Sequence, residues 1–455
     1  MQSALRASAC LPASSGSCPS ARPRVLCLSP FRPEGTSWSG RRRLRSSPAL
    51  RSCGRAPSSS ESGRTSSCSP RCFWNLRARA SVGRSRPSAR RDTFSIWAIP
   101  KRSSKRFGES SAERTKRRLM LFSKPKKKLL MIATGGTIAS KNTGEGLAPA
   151  LTSEELLSCV PEIAQFCTVE TVQPFNLDST DVYYPHWLKI ASIIEENYRA
   201  FDGFVVTHGT DTMAYTAAAL SYLIEGSRKP VVLTGSQKSA YLRDTDARRN
   251  LFDAFRFCSD DGAFGVRIVF DGNVILGTRA KKTRTRSYNA FSSVDFPAVA
   301  VMRDGEPFYY LRGEKPRGMP VFLHELNDRV FVLKMTPGLD PAIFAYLSDK
   351  YDGLILETFG SGGLPNYRDD AFFRAVREFA SSGKPVVIST QVEREGSSLG
   401  TYAVGRRLLD CENVIEARCM TLEAAYAKLM AALAGGRSGK AAEKFFRTPV
   451  EYDIF

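Results

Sequence analysis

Apolar positions along this chain show two textures. Over residues 1–126 they are scattered and follow neither the period of 2 nor that of 3.6, so no stable element is predicted there. From Lys127 onward they gather into blocks. KKLLMIAT is a short apolar run closed by Gly135-Gly136, the pattern of a buried strand entering a tight turn. Thr152 and Glu155 have the spacing of a capping box and predict a helix start. TVETVQ predicts a second strand. Pro185 predicts the first position of a helix that presents Trp187, Leu188, Ala191, Ile194 and Tyr198 on its apolar side.

FVVTH, AYTAAALSYLIEG and PVVLTGSQ follow as strand, helix and strand. DTDARRNLFDAFRFC predicts an amphipathic helix, and VRIVFDGNVILG a hairpin turning at Asp-Gly. After a loop-like stretch around 303–325 the alternation restarts with VFVLKM, DPAIFAYLSDKY, GLILETFG, DDAFFRAVREFASSG, KPVVIST and LEAAYAKLMAALAGG. Strands rich in β-branched residues that alternate with helices predict parallel sheets covered on both faces. The expected organisation is a disordered leader over 1–126, an N-terminal α/β domain over 127–310, a linker over 311–325 and a C-terminal α/β domain over 326–455.

Charge divides the chain at the same place. The 455 residues carry a net charge of +21, yet residues 1–128 hold 30 Lys+Arg against 5 Asp+Glu and the remainder holds 36 against 40. The body is therefore mildly acidic, and the basic leader accounts for the excess. The first 100 residues contain 18 Arg and no Lys. Three readings of the leader compete: an organelle import segment, a nucleic-acid tail using Arg41, Arg42, Arg43 and Arg45, or upstream sequence preceding a true start at Met120 or Met131. The last is favoured, because Arg without Lys amid Ser, Pro and Cys is what GC-rich non-coding DNA yields when translated. No run approaches the ~18 apolar residues of a membrane span. Six of 11 cysteines lie in the leader, the other five are scattered, and reduced thiols are expected. The only histidines are His186, His208 and His324, at spacings that suggest no metal site. Chemistry without metal or cofactor is expected.

In open parallel sheets ligands bind beyond the carboxyl ends of strands. There the chain places Thr134-Gly135-Gly136-Thr137, Asp178-Ser179-Thr180-Asp181 and His208-Gly209-Thr210-Asp211-Thr212, with Arg279-Ala280-Lys281-Lys282-Thr283 after the hairpin. TGGTIAS lacks the Lys-Ser/Thr of a phosphate loop and the third glycine of a dinucleotide fingerprint. Together these turns offer threonine hydroxyls, aspartates and a lysine. A hydroxyl nucleophile needs a base: a lysine kept neutral by burial or by cationic neighbours serves as one, with Asp211 to orient it. The set suits acyl transfer from an amide through a threonyl ester.

MIATGGTIA and GFVVTHGTDTM resemble both signature segments of the bacterial-type L-asparaginase/glutaminase family, and DST at 178–180 and TRAKKTRTRSYNAF at 278–291 fall in the same order. The likeness runs from about Lys127 to the C-terminus and is greatest to the cytosolic type I enzymes. It implies Thr137 as the nucleophile attacking the side-chain amide of L-asparagine, and leaves open whether L-glutamine is also a substrate. It implies Thr210, Asp211 and Lys282 as the hydroxyl–acid–lysine set, and Asp178, Ser179, Thr180, Thr210 and Asp211 as substrate contacts. Lys282 is preferred to Lys281 for its distance to YNAF. A homodimer or homotetramer in the cytoplasm is implied, each site being completed by a partner's C-terminal domain, with neither membrane nor nucleic acid as partner. The chain departs from the pattern at Leu147, near where many members carry a lid tyrosine. It departs again at Glu357 and Val392, where some type I enzymes hold an arginine and a cysteine for cooperative activation. An ammonia-releasing component of an amidotransferase for tRNA-dependent amidation and an RNA-binding protein using the leader are the rival readings.

Overall fold

A computed structural model describes residues 125–455 apart from 143, 145 and 146. Residues 1–124 of the leader, with Arg41, Arg42, Arg43, Arg45 and Met120, lie outside the described residues. So does the side chain of Leu147.

The first apolar block forms β1 (Lys127–Ala133), which leads through a single 3-10 turn at Thr137–Ala139 into a small hairpin, β2 (Ser140–Asn142) and β3 (Leu147–Pro149). The capping box is present with both arms: Thr152 Oγ1 accepts from Glu155 N, and the Glu155 carboxylate accepts from Thr152 N, opening α1 (Ser153–Ser158). Then come β4 (Cys167–Val172), α2 (Tyr184–Asn197), β5 (Gly203–Thr207) and α3 (Met213–Leu223). These are followed by β6 (Ile224–Glu225), β7 (Pro230–Thr234), α4 (Ala247–Cys258), β8 (Gly265–Phe270) and β9 (Asn273–Leu276). Pro185 is the second residue of α2 rather than the first; neither position needs its N–H for an intrahelical bond, so proline fits both.

The strand order is β13-β12-β9-β8-β7-β5-β1-β4, where β12 is Ala300–Arg303 and β13 is Glu306–Tyr309. The strands from β4 to β8 run parallel, but β9, β12 and β13 are antiparallel, so the sheet is mixed rather than purely parallel. The departure begins at the predicted Asp271-Gly272 turn, whose two residues both take positive φ and send the chain straight back beside β8. The stretch expected to be loop around 303–325 holds β13 and, at Val321–Phe322, strand β14, which pairs with β6. Two further short strands, β10 (Ala280–Lys282) and β11 (Phe291–Ser293), form a separate hairpin.

Alternate residues of β1 serve two cores. Leu130 and Ile132 pack with α2 and α3, whereas Leu129, Met131 and Ala133 pack with α4 and Leu156 of α1. This period-2 division explains why the strand is apolar throughout. The second sheet, β15 (Val330–Lys334), β16 (Gly353–Thr358), β17 (Val386–Thr390) and β18 (Val414–Glu416), is wholly parallel. One of its faces carries α5 (Ile343–Lys350) and α6 (Tyr367–Ser381). The other shares the first core through α8 (Leu422–Ala432), which packs on α3. Helix α7 (Ala403–Leu409) precedes β18, and α9 (Gly439–Arg447) precedes the tail. No helix among the described residues is long and apolar enough to cross a membrane.

The tail is clasped. Arg279 is fully buried and donates from Nε to Tyr452 O (2.6 Å) and from Nη1 to Cys419 O (2.6 Å). Thr278 Oγ1 donates to Glu451 O (2.8 Å). Lys428, equally buried, reaches Asp453 Oδ2 (2.6 Å) and Thr448 O (2.7 Å), and Tyr222 Oη donates to the same carboxylate (2.9 Å). Burial holds the Lys428 ammonium below its ordinary value against the pull of Asp453.

Candidate active site

Connections leave β1 toward β4 and leave β5 toward β7, so the strand order reverses between β1 and β5. A crevice opens where neighbouring strands send their loops in opposite directions. Thr137 follows β1 and Thr210 follows β5, so both turns flank this crevice. They touch through glycine: a Cβ on Gly136, whose φ is +78°, would lie 2.3 Å from the Cα and N of Gly209. Only two residues without side chains permit that approach. Gly136 N donates to Leu177 O (2.8 Å), which brings the turn after β4 to the same place.

Around this junction Lys282 Nζ donates to Thr210 Oγ1 (2.7 Å) and to Asp211 Oδ1 (2.7 Å). Ser179 is buried; its Oγ accepts from Asp211 N (3.3 Å) and its carbonyl from Thr212 Oγ1 (2.6 Å). Asp178 caps the 3-10 turn at Ser179–Asp181, accepting from Thr180 N (2.9 Å) and Thr180 Oγ1 (2.8 Å), so the Thr180 hydroxyl is engaged with Asp178 rather than with Thr210. Thr137 is half-buried, and α3 begins directly after Thr212, its N-terminus favouring negative charge at the turn.

Lys282 arrives by an indirect path. Gly277 passes so close to α3 that a Cβ there would meet Ser221 Oγ at 2.7 Å and Ala217 O at 2.8 Å. From there β10 runs along α3 back to its N-terminus. Neighbouring residues of a strand face opposite sides, and Lys281 acts instead on Glu423 of α8, whose buried carboxyl is pushed up by desolvation.

His208 explains the shape of the turn. Its Nδ1 faces Gly209 O (2.7 Å) and must carry the hydrogen, so Nε2 accepts from Thr216 Oγ1 (3.0 Å). Burial lowers the imidazole to about 4, and the ring stays neutral. The turn after β7 also reaches the site. Thr210 Oγ1 donates to Gln237 Oε1 at a long 3.4 Å, and Gln237 Nε2 donates to Ser287 O (3.1 Å) in the loop between β10 and β11. Asp246 holds that turn through Gln237 N (2.9 Å) and Lys238 N (3.0 Å). Gln237 was absent from the sequence expectations, although the rule that found the other turns, applied to PVVLTGSQ, points to it.

Comparison with known families gives two matches: "Asparaginase, N-terminal" over residues 128–314 and "Glutaminase/Asparaginase C-terminal domain" over 329–446. The chain belongs to the asparaginase/glutaminase family. It is an amidohydrolase, as the sequence signatures implied. An L-asparaginase of Thermococcus kodakarensis is 38% identical over 331 residues, covering 72% of this chain and 99% of that one. The thermostable L-asparaginase structure from the same organism matches with a TM-score of 0.66 at 37% identity, covering 72% of this chain and 99% of that one. L-asparaginase I from Vibrio cholerae matches with 0.66 at 28%, covering 73% of this chain and 100% of that one. A glutamyl-tRNA(Gln) amidotransferase subunit of Pyrococcus horikoshii is 37% identical over 316 residues, 66% of this chain and 70% of its own.

Proposed function

We propose that this family member is an L-asparaginase, hydrolysing the side-chain amide of L-asparagine to L-aspartate and ammonia through an ester on Thr137. The observation that carries the reading is the contact of Lys282 with both Thr210 and Asp211 beside the Gly136–Gly209 junction. In the proposed reaction the Thr137 oxygen attacks the amide carbon, and its proton passes through Thr210 to Lys282. That proton then reaches the departing nitrogen, the C–N bond breaks, and ammonia leaves. Water repeats the attack on the ester, returning a proton to Thr137 and releasing aspartate. In this reading backbone N–H groups at the Thr210 turn stabilise the developing oxyanion, a contribution of about 3–4 kcal/mol per donor in comparable sites. The carboxylates of Asp178 and Asp211 suit the substrate's α-ammonium group, and the Ser179 hydroxyl its α-carboxylate, while Thr180 holds Asp178 in place. One extra methylene is worth only ~1–3 kcal/mol of discrimination, so slower turnover of L-glutamine belongs to the same proposal. We place the enzyme in the cytoplasm as a homodimer or homotetramer.

A second reading, the ammonia-releasing component of a tRNA-dependent amidotransferase, draws on the relatives that carry an amidotransferase name. Coverage favours the first: the chain spans 99% of the asparaginase relative but 70% of the amidotransferase one. The test is ammonia release by the purified full-length chain, alone, on L-asparagine and L-glutamine, beside Thr137→Ala. Saturable release from L-asparagine that disappears in the variant supports the asparaginase. No release until a second protein component and tRNA are added supports the amidotransferase, and salt-sensitive RNA binding without any amidase activity supports the RNA-binding reading.

A further inference from the structure

At the amino end of β8, the opposite end of the parallel strands from Thr137 and Thr210, the surface opens into a cavity of about 580 Å³. That is within the ~300–1,000 Å³ of small-molecule sites. Its walls include the rings of Phe257, Phe264, Phe296 and Tyr309. Arg267 is 4% exposed and lies over the Phe264 ring at 5.3 Å. Its Nη1 donates to Val266 O (2.7 Å) and to Glu451, while Nε and Nη2 have no partner among the described residues. At the rim stand Arg312, over the Tyr309 ring at 5.5 Å, and Lys315. Neither forms an ion pair among the described residues. Desolvation and nearby Lys127 lower the Lys315 ammonium against the pull of Asp261 and Asp260. The neighbouring acids are engaged: Asp260 accepts from Tyr309 Oη (2.7 Å) and Gly262 N (2.7 Å), and Asp261 bridges Lys127 (2.8 Å). The cavity thus combines flat apolar walls with the unengaged edge of the Arg267 guanidinium and two rim cations, Arg312 and Lys315, that form no ion pair among the described residues.

We propose that this cavity binds a planar aromatic molecule bearing one anionic group, and that its occupancy acts on Lys282. Aromatic walls take the ring by stacking, and Arg267, Arg312 and Lys315 take the charge. Two cavity residues lead to the catalytic segment. Leu276 ends β9, the strand before β10. Tyr452 supplies the carbonyl that holds buried Arg279 at 2.6 Å, three residues ahead of Lys282. A ligand pressing on Tyr452 therefore acts on the anchor of β10. The effect on Lys282 rests on the function proposed above; binding does not.

The test uses the full-length chain with 1-naphthoate as probe, and neutral 1-naphthylmethanol and acetate as controls, followed by titration calorimetry. Saturable binding of naphthoate tighter than about 1 mM is expected, weakened about fivefold or more in R312Q/K315Q and retained in Thr137→Ala. Ammonia release with saturating naphthoate is expected to change about twofold or more in kcat or KM in the parent alone. No saturable binding, or equal binding of naphthylmethanol, overturns the site. Binding that leaves kcat and KM unmoved overturns its action on Lys282. A chain that binds naphthoate yet releases no ammonia condemns the asparaginase reading and leaves the site standing.

Discussion

Acid should loosen the protein through His208, and the size of the effect follows from the structure. The ring is completely enclosed, with Nδ1–H on Gly209 O and Nε2 accepting from Thr216. Its ordinary value of 6.5 falls to about 4 in the fold, chiefly because a buried imidazolium is desolvated. Above pH 6.5 neither state binds the extra proton. Below it the unfolded chain does and the native chain does not, so stability falls with pH until the native ring titrates near 4. At 1.36 kcal/mol per unit, two units of that window cost about 2.5 kcal/mol by pH 4.5. Urea unfolding of the full-length chain at pH 7.5 and 4.5, beside His208→Gln, isolates this contribution from every other titrating group. The parent is expected to lose about 2.5 kcal/mol more than the variant between the two pH values. Equal losses would refute the assignment of a neutral, enclosed ring to this turn.

Lys282→Met should abolish ammonia release by about 10³-fold or more while leaving the far-UV spectrum intact, whereas Lys281→Met should retain most of the rate; the reverse ranking would sink the assignment. Gly136→Ala forces a Cβ within 2.3 Å of Gly209 at a φ of +78°, so it should yield an inactive or insoluble protein rather than one with altered KM. Lys428→Met leaves Asp453 buried with only Tyr222 and Val450 N as donors, and should cost about 3–5 kcal/mol in chemical denaturation. A loss under about 1 kcal/mol would show that the pair is not sealed from water.

Strands buried on both faces were legible because nothing polar interrupts them; FVVT and VVLT are apolar in every position but the last. The β10–β11 pair was not, because AKK and FSS carry no period and are paired by what surrounds them. β18, three residues long, offers equally little signal, whereas α9 buries Ala442 and Phe446 at a helical spacing that the sequence expectations left unused. At the site, the turns after β1, β4 and β5 were legible from one rule about parallel sheets. The route that returns Lys282 to Thr210 was not, since it depends on the contact between Gly277 and α3. The clasp was invisible for a similar reason: Arg279 and Lys428 look like surface charges until Tyr452 and Asp453 fold against them.

That clasp sets an order of events during synthesis. A ribosome finishes Thr137, Thr210 and Lys282 well before it reaches Glu451, Tyr452 and Asp453. Until those codons are read, two enclosed cations, Arg279 and Lys428, keep only Cys419 O and Thr448 O as acceptors and lack the Tyr452 carbonyl and the Asp453 carboxylate. The nascent body is therefore expected to stay open at its centre until Asp453 has been added. A chain cut before Tyr452 is expected to be digested faster by proteases than the whole chain, rather than to persist as a hydrolase with a shortened tail.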